Sequence, residues 1–213
     1  MKVALWLTAA AMCSAGAAEL AQNESAKPDP AKVQQIVTQD CAGCHGAEGN
    51  SLSAANPSLA GQQAEYITLQ LAHYKAGIRN NPVMMAMAAP LSPEDMKALG
   101  IFYSRQKTRV QGAKDPQLIA AGQKLFRGGN GASGVPACAA CHAPNGAGVP
   151  ARYPRLGGQY ADYTVAQLKA FKAGERGMDK DGKDVNGKIM TQIASRMSER
   201  DMLAVAEYAA GLR

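Results

Sequence analysis

The chain has 213 residues, enough for two small domains, with a formal net charge of +6 and only 5% aromatic residues. Its lysines and arginines are scattered and not interleaved with aromatics, which argues against nucleic-acid binding. Two small cores with so few rings need another large apolar body or a staple in each.

In chain order, Met1-Lys2 is followed by an apolar run from Val3 to about Met12 and by small residues up to Ala18. A basic start, a short apolar stretch and a small-residue site predict a secretory signal peptide over 1–18, hence export to the periplasm. The run is short for a spanning helix, and no later run is long enough. Cys13 would leave with this segment. Helices are expected over 31–39, 64–76, 93–105, 117–126, 161–173 and 199–210. Ser92 and Ser198 stand as N-caps with acidic residues in the first turn, and Gly77 and Gly174 stand as C-terminal stops. No alternating strand pattern of useful length occurs, so the expected class is all-α. The expected organisation is a first domain over 19–105, a polar linker over 106–116 and a second domain over 117–213.

The two halves are copies. A shift of 97 places Cys41-x-x-Cys44-His45 on Cys138-x-x-Cys141-His142, and Gly49, Pro57, Leu59, Gly61 and Gln62 on Gly146, Pro154, Leu156, Gly158 and Gln159. It also matches Tyr66, Gln70, Leu71, Lys75-Ala76-Gly77 and Arg79 to Tyr163, Gln167, Leu168, Lys172-Ala173-Gly174 and Arg176. The shift then becomes 106, matching Met84 to Met190, Ser92 to Ser198 and Asp95-Met96 to Asp201-Met202. The second copy thus carries a nine-residue insertion near 179–187, charged and glycine-rich, expected as a surface loop. Such self-similarity indicates two tandem domains of one fold.

Cysteines three apart lie on one side of a helical turn, and the histidine that follows can swing beneath a ring held by both. Cys-x-x-Cys-His is therefore an attachment signature for haem c, found twice here at matching positions. Cys41, Cys44, Cys138 and Cys141 would bind two covalent haems, with His45 and His142 on the irons. Two disulfides are the main competing reading. A zinc site would space its pairs more closely, and a thioredoxin-like pair would need a βαβ pattern. A second axial ligand closes the iron and suits electron transfer, and methionine raises the potential. Met84 and Met190 each stand eight residues before a capping serine, which selects them. Met87 is the alternative in the first copy and Met178 in the second. Met96, Met197 and Met202 are expected in the core. His73, matched by Ala170, is expected on a helix surface.

CAGCH with GAEGN, CAACH with APNG, the paired L-[AG]-G-Q segments, the KAG helix ends and KLFRGG (124–129) resemble the cytochrome c4 family of periplasmic di-haem class I cytochromes c, over the whole mature chain. The resemblance implies two class I cytochrome c domains, His/Met ligation at both irons, and haems facing each other across the domain interface. It implies that the Pro57 and Pro154 carbonyls accept the second N–H of His45 and His142. It also implies a periplasmic carrier passing single electrons from a membrane cytochrome complex to a terminal oxidase or reductase. Such a carrier has redox protein partners and no small-molecule substrate, and loose membrane association is compatible with it. Alternatives are the cytochrome subunit of a flavocytochrome sulfide dehydrogenase-type complex and, more remotely, a di-haem peroxidase. Residues 19–111 hold eight basic and eight acidic side chains, whereas 112–213 hold fourteen and nine. That asymmetry motivates the expectation that acidic partners dock on the second domain through Lys169, Lys172 and Arg176.

Overall fold

The computed structural model describes residues 29–179 and 181–213. The expected signal segment lies outside them. The first unit comprises α1 (Pro30–Ile36), a π-helical turn (Val37–Cys41), α2 (Ala42–His45), α3 (Ala64–Lys75), α4 (Pro82–Ala88) and α5 (Pro93–Ser104). The second comprises α6 (Pro116–Gly128), α7 (Ala139–His142), α8 (Ala161–Lys172), α9 (Val185–Ala194) and α10 (Glu199–Ala210). Among the described residues the only extended pairing is two isolated bridges, Asn130 with Val135 and Val149 with Tyr153. No helix among them is long and apolar enough to cross a membrane.

The caps explain where the helices start. Ser92 and Ser198 each accept the N–H of the aspartate three residues on, and that aspartate's carboxylate accepts the serine N–H. This reciprocal bond satisfies two otherwise orphaned donors. The helix ends repeat as well. Gly77 and Gly174 have φ of 70° and 74°, and the residue after each donates back to His73 or Ala170. Lys75 then reaches across to the Leu91 carbonyl, and Lys172 to that of Met197, each at 2.6 Å. The repeated lysine is thus an internal tie between the third helix of each unit and the approach to its last helix.

Each unit buries its own core. Val37, Met96, Leu99 and Tyr103 form the first, and Phe126, Met197, Met202 and Val205 the second. The methionines expected in the core are there. In the second unit α6 lies directly on α10, and a Cβ on Gly122 would run into the Ala204 carbonyl oxygen. In the first unit, α1 runs through the π-helical turn straight into Cys41. In the second, α6 stops at Gly128 and a loop pinned by the Asn130–Val135 bridge leads to Cys138. The insertion expected as a loop also changes character at its end: Val185–Gly187 form the first turn of α9 and Gly187 is buried.

The units join through a pseudo-symmetric set of bonds made by matched residues. Gln62 donates to the Arg155 carbonyl and accepts the Arg155 N–H. Gln159 does the same with the two backbone groups of Ser58. Each amide thereby acts as a strand partner for the other unit. Arg79 donates to Gln70 of its own unit and to Tyr163 and Gln167 of the other. Arg176 donates to Gln167 and, across the interface, to Tyr66 and Gln70. The two guanidinium groups stack on Tyr74 and Phe171. Neither has an acidic partner within 4 Å among the described residues. His73, expected at the surface, is 5% exposed in this interface, because its side of α3 faces the second unit.

Two outcomes test this packing. Gly122→Ala should destabilise the second unit by about 2 kcal/mol through overpacking, read as a lower unfolding midpoint. Arg79→Ala leaves Tyr163 without its charged donor, and Gln70 and Gln167 with that of Arg176 alone, and should cost about 3 kcal/mol, with the two units ceasing to melt together in calorimetry.

Candidate haem-binding sites

In both units the histidine closes a short helical turn begun by the cysteines, and its ring is clamped from behind. His45 Nδ1 lies 2.8 Å from the Pro57 carbonyl oxygen, and His142 Nδ1 lies 2.9 Å from that of Pro154. A carbonyl only accepts, so Nδ1 carries the proton in each ring and Nε2 keeps its lone pair. Both residues are 7% exposed. Burial lowers the pKa of each ring below the ordinary value, and the carbonyl bond works against that shift. The outcome is a neutral, oriented imidazole, the form a metal takes as ligand.

The clamp depends on a turn that the repeat preserves. The Gly49 carbonyl gathers the amides of Leu59 and Ala60, and the Gly146 carbonyl those of Leu156 and Gly157. This folds each proline segment over the histidine twelve residues before it. Gly49 has φ of 77°, and a Cβ there would press on the Tyr103 ring.

The four cysteines are free of disulfides. Cys44 is exposed and the others half-buried. Burial raises the Cys41 thiol pKa and pushes that of Cys138 up to about 11. A redox-exchanging pair needs a lowered thiol pKa, and burial moves Cys41 and Cys138 the other way.

The selected methionines lie on helices that the sequence pattern did not reveal. Met84 and Met85 are half-buried on α4, while Met87 is 40% exposed. Met190 is half-buried on α9 and packs on the core that also carries Cys138. Met178 is 58% exposed before α9. Asn81 caps α4 by accepting the Met84 N–H itself, and Asp184 caps α9 by accepting the Gly187 N–H. The matched residues beside the methionines, Val83 and Ile189, leave apolar side chains exposed. Free cysteine pairs, a clamped neutral imidazole with a free Nε2, a thioether on a short helix and an uncovered apolar face together fit haem c. The matched Gln, Tyr and Arg residues of the interface were visible as repeats, but their role was missed.

Arg176 is not available to a docking surface, whereas Lys169 and Lys172 are exposed but each already has a partner. Arg176 is buried between the units, Lys172 is bonded to the Met197 carbonyl, and Lys169 pairs with Glu199 at 3.3 Å. The repeat placed two of them in structural ties, which the charge count could not show.

Two family models match the chain: "Cytochrome c" over residues 119–212, and "Cytochrome C oxidase, cbb3-type, subunit III" over residues 28–102. Cytochrome c4 of Azotobacter vinelandii is 41% identical, with 81% of this chain and 84% of that protein covered. A thiosulfate dehydrogenase electron acceptor of Thiomonas intermedia is 40% identical, with 80% of this chain and 77% of that protein covered. The crystal structure of reduced recombinant cytochrome c4 from Pseudomonas stutzeri superposes with a TM-score of 0.78 at 39% identity, covering 87% of this chain and 99% of that one.

Removing the cap of α4 tests its link to Met84. Asn81→Ala should cost about 1 kcal/mol and speed amide exchange in the first turn of α4, leaving α9 unaffected.

Proposed function

We propose, from the premise that this chain belongs to the cytochrome c4 family and is a di-haem electron carrier, that it is exported and carries electrons from a membrane cytochrome complex to a terminal oxidase or reductase. Thioether bonds from Cys41 and Cys44 hold the first haem, and those from Cys138 and Cys141 the second. His45 and Met84 bind the first iron, and His142 and Met190 the second. The observation that carries the assignment is the duplicated clamp of His45 on Pro57 and His142 on Pro154.

When bound, each haem supplies an iron that cycles between the ferric and ferrous states. The chain's own part is to hold ligands still and keep water away. The proline carbonyls fix the plane and tautomer of each imidazole, and the carbonyl bond raises ligand basicity. The methionine sulfurs of Met84 and Met190 would favour the reduced state. Two side-chain ligands on one iron leave no position open for substrate, as a carrier requires. The fixed charges of Arg79 and Arg176 between the units also favour an added electron.

A second reading concerns the donor. The 40% identical relative from Thiomonas intermedia is an electron acceptor of thiosulfate dehydrogenase, so an enzyme of that kind is the alternative source of electrons. The excess basic charge of the second domain supports an acidic partner there, through residues other than the buried Arg176.

The assignment of ligands is tested by the charge-transfer band of methionine-ligated ferric haem. Met84→Ala and Met190→Ala should each remove about half of it, because the two centres contribute alike, and Met87→Ala should leave it intact. The reverse pattern for Met84 and Met87 would move the first ligand by one turn. The donor is decided by mixing the oxidised protein with either a quinol-oxidising membrane complex or a thiosulfate dehydrogenase and its substrate. Rapid, salt-sensitive reduction by the first supports the proposal, and reduction by the second alone replaces the donor.

A further inference from the structure

Two features break the duplication, and the fold brings them together. His73 on α3 has Ala170 as its counterpart, and the segment 179–187 has no counterpart. His73 Nδ1 is buried, has no hydrogen-bond partner among the described residues, and faces Asp184 Oδ2 at 3.9 Å. The two side chains are 7% and 12% exposed. The other Asp184 oxygen accepts the Gly187 N–H and starts α9. Asp179 accepts the N–H groups of Lys183 and Asp184 and shapes the turn that presents this cap. One turn along α9, Thr191 donates to the Arg176 carbonyl, and the Arg176 side chain crosses to the first unit. The start of α9 therefore faces the first domain at His73, and its next turn is tied to Arg176, whose side chain crosses to that domain.

We propose that His73 is a positioning residue for the second site: from the first domain it steadies the Asp184 cap of α9, and with it the Met190 thioether. The inference rests on the reading of Met190 as a ligand. At 3.9 Å the contact is a dipole-to-carboxylate attraction and a steric stop, not a formed hydrogen bond. It is specific to the second site, because no equivalent of His73 faces α4.

Among the described residues, four charged groups from three places act on the ring. Asp184 and Asp179 belong to the inserted segment and favour the imidazolium. Arg79 follows α3 and Arg176 follows α8, and both oppose it. Burial outweighs the carboxylates and holds the ring below its ordinary pKa of 6.5. A histidine whose folded pKa is lowered disfavours the folded contact once protons are bound. The closed arrangement is therefore most favoured above the ordinary imidazole range, and opening that exposes the ring becomes easier as the pH falls through it, because burial opposes the charged ring more than the carboxylates favour it.

The test uses the reduced holoprotein, with residue-resolved amide exchange over α4 and α9 and the methyl signals of Met84 and Met190. His73→Ala installs the residue found in the other copy. It should speed exchange in the first turn of α9 by about tenfold, the scale of one partly buried charged contact. It should shift the Met190 methyl signal and leave α4 and Met84 unchanged. Asp184→Asn, which keeps a good cap but removes the charge, should reproduce the effect more weakly. Acidifying the wild type from about pH 7 to about pH 5 should lower the protection factors of α9, that is, exchange corrected for the intrinsic pH dependence of amide exchange, and this loss should vanish in His73→Ala. Changes confined to α3 and α4, or no change in α9, would overturn the proposal. Absence of any axial methyl signal from Met190 in the wild type would overturn the ligand reading instead, while α9 exchange would still decide the role of His73.

Discussion

The bond from each imidazole to a proline carbonyl is the constraint around which each unit is arranged. A free imidazole rotates, changes tautomer and takes up protons near neutral pH. To serve as a fixed ligand it needs an acceptor behind it, a plane and a dry setting. The clamp supplies the first two and burial the third. The rest of the local structure follows from keeping that carbonyl in place. The glycine carbonyl at 49 or 146 folds the proline segment back, the helical turn delivers the histidine just after the cysteines, and the last helix closes the core beneath. The same twelve-residue reach in both copies, despite different entries from α1 and α6, indicates that the clamp tolerates less change than the helix before it.

Duplication also explains why the interface is so polar. In a pseudo-two-fold contact every matched residue acts twice, once from each side. Gln62 and Gln159 each complete the other unit's backbone bonding, and Arg79 and Arg176 each reach the other unit's tyrosine and glutamine. A single substitution ahead of duplication would have created two bonds. Amide-to-backbone pairs have narrow geometry, so they fix the relative orientation of the units more tightly than an apolar contact of the same area. Fixed orientation matters when two redox centres must keep a constant separation.

Much of this was legible in the sequence. The six expected helices, the first of them continuing into the π-helical turn, both serine caps, the core methionines and the doubled Cys-x-x-Cys-His stand close to where pattern and spacing put them. The short helices α4 and α9 were not. Seven or ten residues cannot hold a helix alone, and these two depend on caps and on packing that only the tertiary structure provides. The matched polar residues were visible as repeats, but a repeat cannot say whether its bond stays within one unit or crosses to the other. Arg176 reads as a surface cation for that reason, and His73 as a surface residue because its burial comes from the partner domain.

Strict symmetry would make the two centres equal, and equal centres give an electron no preferred direction. With the same ligand set proposed at both irons, any difference must come from burial, hydrogen bonding and charge around them. The structure concentrates its departures from symmetry there. The first attachment motif is entered through a π-helical turn and the second through a bridged loop. α9 is longer than α4 and begins in an inserted segment that only the second unit has. His73 faces that segment from the first unit, with no reciprocal contact. The polar interface preserves the repeat and holds the units together, while the inserted segment and His73 adjoin the methionine helix of only one unit. A duplicated carrier can in this way keep its scaffold symmetric and place the difference between its two centres in a few residues beside one ligand.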